Sequence, residues 1–159
     1  MSSDENNEFG VSMEALEGYA ESFNGSETLG LFNTRIEFPD VDRVQAIIDD
    51  LKSGHMGGMG QAAAVNGGVL AAMYDLVIGC SAALVDPARR SATIQLSMNF
   101  ERAVTGQRLV AEASVDRAGN TLVFSSARIL DGHGRVCSHG QGVVRMSKRR
   151  WDNGSPAVN

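Results

Sequence analysis

The sequence predicts an α+β protein in which one curved antiparallel sheet wraps around a buried helix. Two observations carry this prediction. Residues 66–85 are apolar or small on every side of a helix, which is typical of a helix inside a fold. The segment after Pro87 predicts four strands in succession, and two more strands are predicted before the helix. A chain of 159 residues, 43% of them hydrophobic, is long enough to bury such a core in one domain.

The two ends of the chain are polar, and we expect flexible tails at residues 1–10 and 149–159 around a single domain at residues 11–148. Residues 11–23 predict a short amphipathic helix, because Ser12 is a good N-cap and apolar side chains follow at helical spacing. This helix is the first regular element of the predicted domain.

Residues 29–38 and 41–48 predict the two strands before the central helix, because apolar side chains alternate along the first segment and Pro39 closes it as a turn would. Residues 54–61 contain four glycines, a density that predicts a flexible loop and no regular element. The methionines of this loop would line an acyl pocket or fill gaps in the core. His55 would be a surface residue or, alternatively, a base or ligand.

Alternation of apolar and polar side chains predicts four strands after the central helix, joined by short turns. These strands are residues 93–100, 109–115, 122–130 and 135–146. Residues 117–120 and 131–134 predict the hairpin connections between the last three of them. We therefore expect all four strands to form an antiparallel meander in chain order.

The composition excludes several classes of protein. The 14 Lys and Arg against 19 Asp and Glu give a net charge of −5, and no basic block predicts a nucleic-acid partner. Cys80 and Cys137 lie far apart in sequence and predict neither a metal site nor a disulfide framework. No apolar run approaches the roughly 20 residues that span a bilayer, and the acidic N-terminus lacks the features of a signal peptide. We expect a cytoplasmic protein with no membrane partner.

Asp75 is the only charged residue of the predicted central helix. The residues one turn away on each side are small, which would let a ligand or another helix approach its carboxylate. Burying an unpaired carboxylate costs on the order of several kcal/mol. Asp75 is therefore a hydrogen-bonded core residue, a protonated one or a group kept for chemistry.

The start of the central helix is a second candidate site. Asn66 is a good N-cap, and Gly67 and Gly68 leave N–H groups unshielded at the positive end of the helix dipole. Such an end binds an anion or polarises a carbonyl, although two glycines also permit close packing on a strand.

The spacing of these two candidates has a consequence for assembly. Nine residues at about 1.5 Å each put Asp75 roughly 13 Å from Asn66, too far for both to act on one atom. If both serve one site, a second copy must bring its Asp75 to this helix start, as two antiparallel helices about a two-fold axis would do.

The run Asn66-Gly67-Gly68, six further residues and Asp75, on a helix followed by antiparallel strands, resembles the hot dog fold thioesterases of the phenylacetate-pathway (PaaI-like) type. The likeness extends from about residue 29 to residue 146. The resemblance implies a hot dog fold and hydrolysis of an acyl-CoA thioester without a cofactor, since CoA is part of the substrate. It also implies a homodimer with antiparallel central helices, in which dimers commonly pair into tetramers.

By the same resemblance, Asp75 of one subunit is the nucleophile or general base, the Gly67 N–H of its neighbour polarises the thioester oxygen, and Thr93 helps to hold the water. A desolvated carboxylate and fixed N–H donors suit these tasks. Asn66 stands where the motif usually has His; it can bind a water or a carbonyl but cannot transfer a proton at neutral pH. Gln61 lies one residue from the position where relatives often carry Asn or Gln.

The phosphates of CoA require cationic or backbone contacts. Arg117 and Gly119 at a predicted hairpin tip are candidates, as is the pair Arg89-Arg90 before a strand. The alternative for each cation is ordinary solvated surface charge. Gly68 and His55 complete the expected set of substrate-binding residues.

Acyl-CoA hydrolysis is the leading hypothesis, since the acidic residue and the glycine-rich helix start are both present. The first alternative is a non-catalytic acyl-CoA-binding dimer, in which Asn66 marks lost catalysis. The second is hydration or dehydration of enoyl thioesters, which normally needs a His near the helix, so Asn66 weighs against it.

Overall fold

The computed structural model describes residues 6–58 and 60–152 and confirms the predicted α+β architecture. The helices are α1 (Met13–Asn24), α2 (Glu27–Leu31) and α3 (Gly67–Ser81), with 3₁₀ turns at Ser53–His55 and Ala82–Leu84. The strands before α3 are β1 (Arg35–Asp40), β2 (Arg43–Ile48), β3 (Met56–Gly58) and β4 (Gly60–Val65). The strands after it are β5 (Arg89–Phe100), β6 (Leu109–Ala118), β7 (Leu122–Leu130) and β8 (Val136–Arg150).

Six strands of the described chain form one antiparallel sheet in the order β1-β2-β6-β7-β8-β5, and β3 pairs with β4 apart from it. The last three strands form the predicted meander, but β5 pairs with β8 and leaves β6 to pair with β2. The expectation of four neighbours in chain order is therefore wrong. Alternation identifies a strand and its buried face, but it does not identify the neighbour.

The helix α3 packs on β2, β5, β6, β7 and β8 through a face that includes the buried residues Met73 and Val77. The Tyr74 hydroxyl donates to the Ser138 Oγ at 2.8 Å, which ties the helix to β8. A Cβ at Gly140 of β8 would lie 2.7 Å from the Tyr74 ring. A glycine at this position lets the sheet close onto the helix.

The segment Gly67–Leu84 is apolar enough, with a mean hydropathy of 1.6 over 18 residues, to cross a membrane by length and composition alone. The expectation that no such run exists is wrong by this measure. The fold nevertheless buries 61% of the segment, as expected for a core helix packed on a sheet.

The first half of the domain confirms one prediction and corrects another. α1 starts as predicted, with the Ser12 Oγ accepting the Ala15 N–H at 3.3 Å, and it buries Leu16 and Tyr19. The predicted strand at 29–38 is wrong over its first part, where α2 lies, and β1 starts only at Arg35. A helix of five residues is too short for side-chain periodicity to distinguish it from a strand.

Both predicted tails are partly held by the fold. The Asn7 side-chain amide donates to the carbonyl oxygens of Val41 and Leu84 at 2.9 and 2.7 Å. At the other end, β8 continues through Arg150, and the Trp151 N–H donates to a backbone carbonyl beside β5. Described residues beyond both predicted boundaries, 11 and 148, thus contact the domain.

The prediction that residues 54–61 lack regular structure is wrong for the described part. The 3₁₀ turn, β3 and β4 cover most of the stretch, and Met56 pairs with Val65 in the hairpin. Backbone pairing satisfies the strands without side chains, so glycine content alone does not exclude them. Residue 59, and the side chains of 58 and 60–62, lie outside the described residues.

Candidate functional site

Asp75 lies on a stripe of α3 that is open to solvent on the single chain. Its side chain is exposed, and Ala72 and Gly79, one turn to either side, are only half-buried. The sequence predicts that this carboxylate is buried. In the single chain it is exposed, so the prediction is wrong for one copy of the protein on its own. The large apolar side chains of α3 contact the sheet. The small residues around Asp75 lie on the opposite face of the helix, and no other element of the described chain covers this face.

A cleft of about 370 Å³ lies between α1, α3 and the start of β5, and Asp75 and Thr93 both line it. The structure thus brings together two of the residues predicted for catalysis. Phe23 and Trp151 contribute aromatic walls. Trp151 belongs to the segment that the sequence predicts as a C-terminal tail. One carboxylate and the hydroxyl groups of Tyr19, Ser91 and Thr93 on largely apolar walls suit an apolar ligand that carries a polar group.

Tyr19 and Cys80 form a buried wall of this cleft, with the Tyr19 hydroxyl 3.8 Å from the Cys80 Sγ. Burial raises the pKa of the Cys80 thiol to about 12, with a smaller contribution from the Asp75 carboxylate in the same direction. Burial also raises the pKa of Tyr19 well above its usual value. Neither group is ionised near neutral pH, which leaves Asp75 as the acidic group of the cleft.

Asn66 caps α3 as the sequence predicts. Its Oδ1 accepts the Gly68 N–H at 2.8 Å, and its Nδ2 donates to the Gly57 carbonyl oxygen at 2.6 Å. Because the cap uses the Gly68 N–H, that amide is not free for a substrate, which corrects the expectation for Gly68. Gly67 is exposed, and its N–H has no hydrogen-bond partner among the described residues. Of the two predicted amide donors, Gly67 alone stays available.

The two halves of the candidate site are separate on one chain. Eight residues at about 1.5 Å each place Gly67 roughly 12 Å from Asp75 along α3. Gly67 lies beside Phe100 at the far end of β5, where a Cβ would be 3.8 Å from the phenyl ring. Gly79 adjoins Thr93 near the other end. The helix α3 and the edge strand β5 therefore run side by side in opposite directions.

His55 is buried and bonded to the backbone through both ring nitrogens. Its Nδ1 accepts the Lys52 N–H at 2.8 Å, and its Nε2 donates to the Phe32 carbonyl oxygen at 2.9 Å. His55 therefore fixes the turn before β3, and the expectations of a surface residue, a base or a ligand are corrected. Gln61 belongs to β4, and its side chain lies outside the described residues.

The residues predicted to bind phosphates do not line the cleft. The Arg117 guanidinium stacks 5.4 Å from the centre of the Phe124 ring. The Gly119 N–H closes the β6–β7 turn by donating to the Leu122 carbonyl oxygen at 2.8 Å. Arg89 donates to three backbone carbonyls of β8 and that turn. Arg117, Gly119 and Arg89 thus make contacts within the sheet and its turn and lie outside the cleft.

Comparison with known proteins finds one family. Residues 63–138 match the thioesterase superfamily, and this segment includes Gly67, Asp75 and Thr93. No curated protein matches the chain.

Several solved structures share the fold. A Shewanella oneidensis protein related to the thioesterase superfamily is 24% identical, with a TM-score of 0.73 over 84% of this chain and 96% of that one. The Escherichia coli PaaI protein from the phenylacetic acid degradation operon is 12% identical, with a TM-score of 0.73 over 86% and 96%. A Haemophilus influenzae thioesterase is 14% identical, with a TM-score of 0.71 over 83% and 90%. These likenesses confirm the predicted hot dog fold.

Proposed function

From the match of residues 63–138 to the thioesterase superfamily, we propose that this chain is a thioesterase that hydrolyses an acyl-CoA thioester to a free acid and CoA. Thioester hydrolysis is the general activity of the family. One observation carries the finer proposal: Asp75 and Thr93 share a cleft, while the Gly67 N–H at the other end of the same helix has no partner within the described part of the chain.

Asp75 is the base or the nucleophile of the proposed reaction. As a base, its carboxylate takes a proton from a water molecule whose oxygen attacks the thioester carbonyl carbon. The tetrahedral intermediate then collapses, the C–S bond breaks, and the proton passes to the departing CoA sulfur. Thr93, on the wall of the same cleft, holds the water by a hydrogen bond.

The Gly67 N–H of a second copy supplies the donor for the carbonyl oxygen as it becomes negative. This amide is the first of α3, where the helix dipole is positive, and the Asn66 cap keeps the helix start in place. Removing one such donor typically costs about 10²–10³ in rate.

Three features of the single chain support a second copy beside α3. β5 is an edge strand, so one side of its backbone is open to pairing. Ile94 and Phe100 on this strand are 57% and 52% exposed, large fractions for apolar side chains. The uncovered stripe of α3 runs beside them. A two-fold axis across this face reverses α3 between the copies, which brings Asp75 of each toward Gly67 of the other.

Gly67→Pro tests the amide donor without removing the helix. Proline is favoured at the first helical position, and the extended backbone of Asn66 (φ −60°, ψ 137°) suits a residue before proline. Gly67→Ala is the matched control, because it keeps the N–H and its Cβ would make only ordinary contact with Phe100. We expect Gly67→Pro and Asp75→Asn each to lose about 10² or more in kcat, and Gly67→Ala to stay within a few-fold of wild type.

A mixed dimer tests whether the two groups meet across an interface. Asp75→Asn and Gly67→Pro chains with different tags are co-expressed, and species carrying both tags are isolated. One of the two sites then joins an intact Asp75 to an intact Gly67, so we expect about half of the wild-type rate. A mixed dimer as inactive as its parents, or failure to recover any mixed species, would overturn the intersubunit site. Wild-type protein inactive on short, long and aromatic acyl-CoAs would overturn the hydrolysis itself.

No contact among the described residues specifically favours either alternative function. Among the described residues that line the Asp75 cleft there is no histidine, so hydration of enoyl thioesters lacks the imidazole that it normally needs. The protein is a non-catalytic binder if calorimetry detects binding of acyl-CoA while the thiol assay detects no release of CoA.

A further inference from the structure

A groove of about 720 Å³ lies next to the Asp75 cleft. Its cationic lining residues are Arg90, Arg145, Lys148 and Arg149. Ser91 and Ala92 line both the groove and the cleft, so the two cavities adjoin at the start of β5. Because β5 is the edge strand of the sheet, a ligand with one end at Asp75 reaches the basic residues by passing around this strand.

The positive charge of this groove is largely unbalanced. Within the described chain, Arg145, Lys148 and Arg149 form no ion pair with a carboxylate, and all three are exposed. Arg90 has one long pair, 3.7 Å to the exposed Asp152. Because the whole chain carries a net charge of −5, a cluster of four cations here is a local exception that attracts an anion.

Arg90 and Trp151 stand at the junction of the two cavities. The Arg90 guanidinium carbon lies 5.5 Å from the centre of the Trp151 ring; Arg90 lines the groove and Trp151 lines the cleft. The Arg90 Nε and the Trp151 Nε1 are both buried without a hydrogen-bond partner among the described residues. Buried donors are normally bonded, so this pair indicates a place where a ligand supplies acceptors.

We propose that the groove binds the phosphates of the CoA carrier while the thioester lies in the adjoining cleft; this rests on the proposed function. In CoA the pantetheine arm separates the thioester from the diphosphate and the 3′-phosphate, so a carbonyl at Asp75 requires a phosphate site outside the cleft. Three guanidinium groups and one ammonium match this polyanion, since arginine binds phosphate oxygens in pairs. The assignment replaces Arg117 and Gly119 as the phosphate-binding residues.

Kinetics with two substrates separates phosphate binding from chemistry. The triple variant Arg145→Gln/Lys148→Gln/Arg149→Gln and the matched control Arg117→Gln are assayed with an acyl-CoA and with the same acyl group on N-acetylcysteamine, which carries no phosphate. We expect KM for acyl-CoA to rise about tenfold or more in the triple variant, with kcat within twofold. For the N-acetylcysteamine thioester we expect no change. Added NaCl should raise KM for acyl-CoA more steeply in wild type than in the triple variant, which keeps only Arg90 of the four cations.

Calorimetry with CoA and with adenosine 3′,5′-bisphosphate measures the groove independently of turnover. If wild type binds CoA, the triple variant binds it about tenfold more weakly and neither thioester is hydrolysed, then the groove is supported and the proposed hydrolysis fails. Equal affinities and KM values in wild type and the triple variant would overturn the groove. The groove would also be overturned if Arg117→Gln, and not the triple variant, lowered the affinity for CoA.

Discussion

Gly79 of α3 lies so close to Thr93 of β5 that a Cβ at residue 79 would be 3.2 Å from the Thr93 Oγ1. The absence of a side chain at this position lets the helix contact the edge strand beside Asp75, in the cleft that both residues line. This contact sets the spacing between the element that carries the carboxylate and the element that carries the hydroxyl.

Gly79→Ala is expected to displace the Thr93 hydroxyl and lower hydrolysis, although Ala favours a helix interior over Gly by about 1 kcal/mol. Thr93→Ala removes the oxygen that a Cβ at residue 79 would crowd. Gly79→Ala should therefore stabilise the protein more in the Thr93→Ala background than in wild type. A double-mutant cycle by urea denaturation measures the difference. Equal effects in both backgrounds would contradict a tight contact.

Asn66 is predicted to stabilise the start of α3 through two separable hydrogen bonds. Asn66→Ala removes the cap on the Gly68 N–H and the bond to the Gly57 carbonyl, and the cap alone is worth about 1 kcal/mol. Asn66→Ser keeps a capping oxygen but loses the amide donor, so its free energy of unfolding should fall between wild type and Asn66→Ala. Thermal and urea unfolding give the order, and an Asn66→Ala protein as stable as wild type would show that the cap contributes nothing.

Asp131 is predicted to make stability fall in acid. Its buried carboxylate accepts the N–H groups of His133 and Arg135 at 2.9 and 3.0 Å and pairs with the Arg135 guanidinium at 2.8 Å. Burial alone would raise the pKa of Asp131, but these hydrogen bonds outweigh it and lower the pKa below the usual value for an aspartate. A carboxyl group with a lowered folded-state pKa stabilises fully above its unfolded-state pKa, and the effect is lost as the pH falls through the folded-state value.

Asp131→Asn should therefore reduce the free energy of unfolding at pH 7 by about 1–2 kcal/mol, because charge-assisted bonds to Arg135 are lost. The difference from wild type should shrink as the pH falls below about 4. Asp42→Asn, which removes an exposed carboxylate, is the control for net charge. Urea denaturation at pH 7 and pH 3 tests the effect, and a constant difference at both values would contradict it.

Prediction from the sequence succeeded where the deciding contacts are local. Ser12 and Asn66 cap their helices as expected, because capping depends on residues within three positions. The strands β6, β7 and β8 follow one another through short hairpins, and short connections leave few alternatives.

The failures concern relationships that no local pattern contains. Small residues around Asp75 suit both a buried helix and an uncovered face awaiting a partner, and only the position of α3 at the β5 edge distinguishes them. Arg90 is a candidate from the sequence, but the groove also contains residues 145–149, more than fifty positions later, which β5–β8 pairing brings beside it. Arg117 was a candidate because it precedes a turn, but its contact with Phe124 depends on cross-strand register.

Cys80 and Cys137 are predicted to be unreactive until the protein unfolds. Both are buried, and burial raises the pKa of each thiol, that of Cys80 to about 12. The thiolate is the reacting form, and at pH 8 a thiol with this pKa is ionised to only about one part in 10⁴. A thiol-reactive dye should therefore give almost no colour with native protein and two thiols per chain in urea. Cys137→Ser should leave one thiol in urea, and rapid colour from this variant in its native state would contradict the packing around Cys80.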